Sequence, residues 1–239
     1  MAGHSHWKNI KRKKAVVDAR RGQAWSKVAR LIMIAAKRGA NPDDNFTLRD
    51  ACDKAREVNM PNDTIEKAIK KGSGELAGTN FETVLYEGYG PGGVAILVDA
   101  LTDNRHRTAG EIRMLFDRAG GAIGAANSVG WMFTKKGVIN IEKSAATEER
   151  LMDIALQAGA EDIQTSEEGY EVTTTMQDFE KVKKALKEAK IAWAAADLMM
   201  IPSQTVAVSG EAVEKVQRIV DNLEGNDDVQ SVYTNAAYD

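Results

Sequence analysis

Residues 137–202 read GVINIEKSAATEERLMDIALQAGAEDIQTSEEGYEVTTTMQDFEKVKKALKEAKIAWAAADLMMIP. Two hydrophobic periods alternate along this stretch. GVINIEK repeats every second residue, as a strand does, and TEERLMDIALQAG repeats every third and fourth, as a helix does. EDIQTS and YEVTTT flank Glu168-Gly169 and form a hairpin. DFEKVKKALKEAK is a second helix and IAWAAADLMMIP a closing strand. The order βαββαβ is the ferredoxin-like one.

The flanking segments extend the pattern. FETVLYEGY (81–89) and GVAILVDAL (93–101) are adjacent strands joined through GPGG. A helix follows, with Thr108 and Glu111 as a capping box and Ala109, Ile112, Leu115, Phe116 and Ala119 facing inward. The glycine-rich GGAIGAANSVG (120–130) is either a contact loop or a packed connection. Beyond residue 202 come TVAVS, a helix EAVEKVQRIVDNLEG and a strand DVQSVYTNA. This tail can complete the unit begun at residue 81, which makes the middle an insertion.

Residues 22–72 read as three helices. Trp25, Val28, Leu31, Ile32 and Ala35 form the stripe of the first, which Gly39 ends. Lys27, Arg30 and Lys37 fall on another face, a basic exterior. Pro42-Asp43-Asp44 starts the second, with Leu48, Ala51, Cys52, Ala55 and Val58 as its stripe. The third opens at Asn62-Asp63, with Asp63 and Glu66 as a capping pair, and closes at Gly72. SGELAGTN (73–80) is a linker. The fold class is therefore α+β: an N-terminal three-helix bundle plus two α/β domains, one inserted in the other. The expected divisions are a basic arm (1–21), the bundle (22–78), a discontinuous α/β domain (79–133 and 203–239) and an inserted ferredoxin-like domain (134–202).

Charge is distributed unevenly. The 239 residues carry a net charge of −3, but residues 1–40 hold 11 Lys/Arg against one acid, a net +10. Residues 75–239 hold 15 basic and 27 acidic residues, a net −12. One end is a concentrated cation on an acidic body, which points to an anionic partner for that end. One cysteine, Cys52, excludes an internal disulfide and fits a reducing compartment. No apolar run approaches membrane-spanning length.

The cationic end reads MAGHSHWKNIKRKKAVVDARRG. It lacks the apolar core of a secretory signal and a clean amphipathic stripe. The readings left are a solvated tail and a nucleic-acid contact. Lysine and arginine release counterions from a phosphate backbone, and Trp7 can stack on an unpaired base. Arg105 and Arg107, in DNRHRT (103–108), lie just before a helix N-terminus and could add an anion contact. GYGPGG (88–93) lacks the lysine and hydroxyl of a phosphate loop and sits between strands, so it reads as a turn. His4 and His6 have no third ligand nearby, so no metal is expected, and no cofactor. No HExxH, GxSxG or Cys–His signature points to an enzyme.

MAGHSHWKNIKRKK, DARRGQAWSK, YEGYGPGG, DNRHRTAGEIR, SVGWMF followed by KKGVI, and DLMMIPS together resemble the YebC/PmpR family. That family includes the mitochondrial translational activators of cytochrome c oxidase. The resemblance runs from residue 1 to about 235. It implies a helical bundle with two α/β domains, and no catalysis. Bacterial members are labelled probable transcriptional regulators that bind DNA; others act as translation factors at the ribosome, which makes ribosomal RNA or tRNA the alternative target. The resemblance carries nucleic-acid binding to Lys8, Lys11, Arg12, Lys13, Lys14, Arg20, Arg21 and Lys27, and matches the family opening at His4, Ser5 and Trp7. Arg30 extends the same cationic surface. The chain departs from the family pattern at His6, where lysine is common, and at Asn127 and Gly130. A family motif that starts at Met1 favours a bacterial cytoplasm. Oligomeric state is not written in the sequence.

Overall fold

The structure, a computed structural model, describes residues 21–238. Among these, the first three helices are α1 (Arg21–Ala36), α2 (Phe46–Glu57) and α3 (Asn62–Ser73). Their core holds Val28, Ile32, Leu48, Cys52, Ala55 and Ile65. Burial raises the Cys52 thiol above its ordinary pKa, which keeps it protonated. Trp25 packs against this core and donates its indole N–H to the Val58 carbonyl at 2.9 Å. At Gly72 α3 comes close to α1: a Cβ there would lie 2.4 Å from the Met33 carbonyl oxygen.

Three helix boundaries differ from expectation, each for a local reason. The Pro42-Asp43-Asp44 turn precedes α2, and Asn45 caps it by accepting from the Leu48 N–H at 3.1 Å. The Asn45 amide also donates to Ala35 and Gly39 carbonyls, tying α1 to α2. At α3 the N-cap is Pro61, with no side-chain cap; Asp63 instead faces Lys67 at 3.5 Å. That helix ends at Gly74, not Gly72.

Strands β1 (Glu82–Tyr89) and β2 (Ala95–Thr102) pair antiparallel around a 3-10 turn at Pro91–Gly93. Helix α4 spans Arg105–Arg118, and the short β3 (Ala122–Ile123) pairs back onto Gly88 and Tyr89 of β1. Asn104 caps α4, so the anticipated Thr108–Glu111 box does not form. Thr108 is buried, and its hydroxyl bonds Thr102.

Next come β4 (Phe133–Glu142), α5 (Glu148–Gln157), β5 (Ala160–Thr165), β6 (Gly169–Thr174), α6 (Phe179–Glu188) and β7 (Ala195–Pro202). The sheet order is β5-β6-β4-β7, all antiparallel, with both crossovers helical. This is the ferredoxin-like arrangement. Alternation along the strands gives each face its own residues. Ile139, Ile141, Tyr170 and Val172 pack with Leu151, Val182 and Leu186 of the helices. Asn140 and Glu171 stand opposite each other on the other face, and both are buried.

The tail contributes β8 (Val206–Val208), α7 (Glu211–Glu224), β9 (Val229–Thr234) and β10 (Ala236–Tyr238). β9 joins β2 in the sheet β3-β1-β2-β9, so the chain returns to the unit begun at residue 82. β8 pairs in parallel with β10 in a separate two-stranded sheet. The described residues gather into two compact units: one holds 21–129 with 210–232, the other 130–209 with 233–238.

Candidate nucleic-acid interface

His4, Ser5, Trp7, Lys8, Lys11, Arg12, Lys13, Lys14 and Arg20 lie outside the described residues. Arg21 opens α1, and its side chain is likewise outside the description.

The α1 cations do not form the free basic exterior expected of them. Lys27 donates to the Glu224 carbonyl at 2.6 Å, and Gln23 donates to the Gly225 carbonyl at 2.6 Å. Both oxygens lie at the C-terminal end of α7, where the last carbonyls lack helical partners and carry partial negative charge. Arg30 donates to the Asp227 carbonyl and reaches Asp228 Oδ1 at 2.8 Å. Its guanidinium also lies over the Phe81 ring, 5.2 Å from the centroid. Lys37 bonds Asn80 and the Phe81 carbonyl. The polar face of α1 is thus the face that meets the α/β portion. A helical wheel separates apolar from polar but cannot say which polar face has a neighbour.

Asp228 is the hub of this contact, and the sequence reading passed over it. Its carboxylate accepts from Arg30, Arg107 (2.6 Å), Thr108 (2.6 Å) and Thr102 (3.2 Å). Its side chain is 4% exposed. Burial acts to raise its pKa, but the Thr108 and Arg107 hydrogen bonds and the charges of Arg30 and Arg107 prevail and hold it below the ordinary range. In the sequence it is one aspartate in GNDD, with partners 120 or more residues away.

Arg105 and Arg107 lie in the first turn of α4, not before it. Arg107 is committed to Asp228 and to Asp103 at 2.9 Å, which raises its pKa further. Arg105 stays exposed, 3.7 Å from Glu82. It borders an open cleft of about 470 Å³ along β1, shared with Tyr86, Glu87, His106 and Gly124.

The stretch 120–130 is largely exposed but is anchored to β1 by hydrogen bonds and buries Val129 near its end. The buried Glu87 carboxylate accepts from the Asn127 N–H (2.7 Å) and the Val129 N–H (2.8 Å). Asn127 has φ +64°, a left-handed conformation that asparagine tolerates better than most residues. The next aromatic, Trp131, is 72% exposed.

A helical bundle held by its own cations to an α/β sheet, together with a ferredoxin-like unit, defines an α+β protein. Two family models match it: the TACO1/YebC protein N-terminal domain over residues 5–75, and the TACO1/YebC second and third domain over residues 81–236. The chain belongs to the TACO1/YebC family. It is 52% identical over 239 residues to a "Probable transcriptional regulatory protein" of Natranaerobius thermophilus, covering 98% of this chain and 96% of that one. A protein of the same name from Pelotomaculum thermopropionicum is 50% identical, covering 98% of each chain. The crystal structure of a conserved hypothetical protein, Aq1575 from Aquifex aeolicus, superposes with a TM-score of 0.84 at 42% identity, covering 93% of both chains. No helix among the described residues is long and apolar enough to cross a membrane.

Proposed function

We propose that this protein is a non-enzymatic, nucleic-acid-binding regulator of gene expression that acts in the cytoplasm. The carrying observation is the segregation of charge: 11 cations against one acid in residues 1–40, on a body that is net acidic. Counterion release makes such a segment a phosphate-backbone ligand regardless of sequence. Lys27, Arg30 and Lys37 are spent on internal contacts, so phosphate binding falls to Lys8, Lys11, Arg12, Lys13, Lys14, Arg20 and Arg21, with Trp7 available for stacking. His4 and Ser5 precede them as hydrogen-bonding groups. The names of the relatives support a transcriptional role, for which DNA is the target we propose.

A second reading is a translation factor on ribosomal RNA or tRNA. It is favoured by the arm, which carries charge and an aromatic but no recognisable recognition helix bearing a base-reading cluster of Asn, Gln and Arg. Site-specific transcription needs a preference of roughly a thousandfold over bulk DNA. Ribosomes and excess duplex DNA offered together at physiological salt separate the two readings. Retention in the ribosome pellet supports translation; selection of one promoter fragment against competitor supports transcription. Failure to hold either nucleic acid at low salt overturns the proposal.

A further inference from the structure

The C-terminal end of α4, the GPGG turn and the middle of α7 enclose an open cleft of about 430 Å³. Its lining is Pro91, Arg118, Ala119, Gly120, Lys215 and Arg218. Half of these residues are cations and none is an acid. Arg118 and Arg218 are exposed, and among the described residues no carboxylate engages either guanidinium. Lys215 faces Glu211 at 3.5 Å, but Glu211 is 91% exposed. Such a one-turn surface pair contributes little and leaves the ammonium available.

Helix capping does not account for Arg118. The Phe116 carbonyl already accepts from the Ala119 and Gly121 N–H groups, and the Asp117 carbonyl from Gly120 N–H. Gly120, which lines the cleft, has φ near +73°, and nothing lies within 4 Å of where a Cβ would project from it, so its backbone stands open there. Three like charges around one cleft repel one another, and an anion relieves that repulsion. Arginine forks match the oxygens of phosphate two at a time, and lysine adds a point charge.

We propose that this cleft is a phosphate site that takes a backbone phosphate of the bound nucleic acid, separate from the contact made by residues 8–21. The inference rests on the nucleic-acid reading above, and it adds residues from two distant helices that no basic run in the sequence reveals. Its test compares the full-length protein with R118A/R218A and with R118K/R218K, all checked for unchanged thermal unfolding. The first probe is a single-stranded RNA oligonucleotide titrated over a range of salt. R118A/R218A is expected to bind several-fold more weakly. Its plot of log affinity against log salt should be shallower by about 0.7, the contribution of the one single-strand phosphate the cleft takes. R118K/R218K should recover the slope but only part of the affinity. Unchanged affinity and slope in R118A/R218A would overturn the site while leaving the arm's role standing.

The second probe is inorganic pyrophosphate, followed through the arginine Nε–H resonances. Saturable shifts at Arg118 and Arg218 that RNA competes away support the site. Shifts that RNA cannot compete away assign the cleft to a free phosphorylated ligand and overturn the backbone assignment. If the protein binds neither RNA nor duplex DNA, the functional reading fails on its own, and an absence of pyrophosphate shifts then removes the phosphate site as well.

Discussion

Arg30 of α1 and Asp228, which follows α7, form an ion pair of 2.8 Å whose side chains are 15% and 4% exposed. They are 198 residues apart in sequence. The pair fastens the helical bundle to the α/β sheet, because Asp228 also accepts from Leu101 of β2 through its backbone carbonyl at 2.7 Å. Removing the carboxylate charge strands the Arg30 guanidinium in a mostly buried position. Asp228→Asn is expected to destabilise the protein by about 2–4 kcal/mol, toward the lower end because Arg107 remains partly hydrated. Denaturant unfolding measures it, and a double-mutant cycle with Arg30→Ala should show coupling above about 1 kcal/mol.

The same pair sets an acid limit. The folded pKa of Asp228 lies below its unfolded value, so its stabilisation is fully present above the unfolded pKa and is lost as pH falls through the folded one. The wild type should lose more stability than Asp228→Asn below about pH 4, the ordinary range for aspartate. Thermal unfolding from pH 6 down to pH 3 records the difference.

Glu171 has the opposite sign. Burial, with a smaller contribution from Asp162, pushes its carboxyl up to about 7. One of its oxygens and the Asn140 amide oxygen are buried without hydrogen-bond partners. Protonation removes the charge and supplies a donor. The folded state therefore holds a proton that the unfolded state releases, and stability declines as pH rises from about 4.5 to about 7. Glu171→Gln should flatten this decline and stabilise the protein at pH 8, by up to roughly 3 kcal/mol. Equal pH profiles for the two proteins would refute the assignment.

Among the described residues, the ferredoxin-like core cluster is drawn from the stretch between Ile139 and Leu198. We propose that 134–202 is an inserted domain between the two parts of a discontinuous one, 79–133 and 203–239. A fragment of residues 134–203 should unfold cooperatively by itself. A fragment of 79–131 should not, because it lacks β9 and α7, whose Val216, Ile219 and Leu223 are buried. Circular dichroism melts of both fragments check this.

Gly72 offers a local probe of the bundle. A Cβ there would meet Met33 backbone, which a side-chain rotation cannot relieve. Gly72→Ala should cost about 1–3 kcal/mol through the displaced α1–α3 contact, despite the better helix propensity of alanine. Denaturant midpoints give the value.

Periodicity made most of this fold legible. The βαββαβ order and the bundle stripes follow from local hydrophobic spacing, whereas the return of the tail to the sheet begun at residue 82 is a long-range pairing that spacing only allows. Capping was less legible: Asn45 and Asn104 took the roles expected of their neighbours, because several polar residues in each turn are competent caps. The site was legible only where its residues are consecutive. The run Lys11–Lys14 is visible at a glance, whereas Asp228, Arg118 and Arg218 acquire meaning from residues 100 or more positions away. The contacts of Lys27 and Arg30 were hidden for the same reason, since their partners lie on the far side of the sequence.

The N-terminal cations are the part of the chain proposed to hold nucleic acid. The direct measurement is the salt dependence of RNA and duplex DNA binding for the wild type and for a variant with Lys11, Arg12, Lys13 and Lys14 replaced by alanine. Removing four phosphate contacts should weaken binding and flatten the slope by about 2.8 on single strands and about 3.6 on duplex. Equal slopes for the two proteins would remove the arm from the interface and contradict the account.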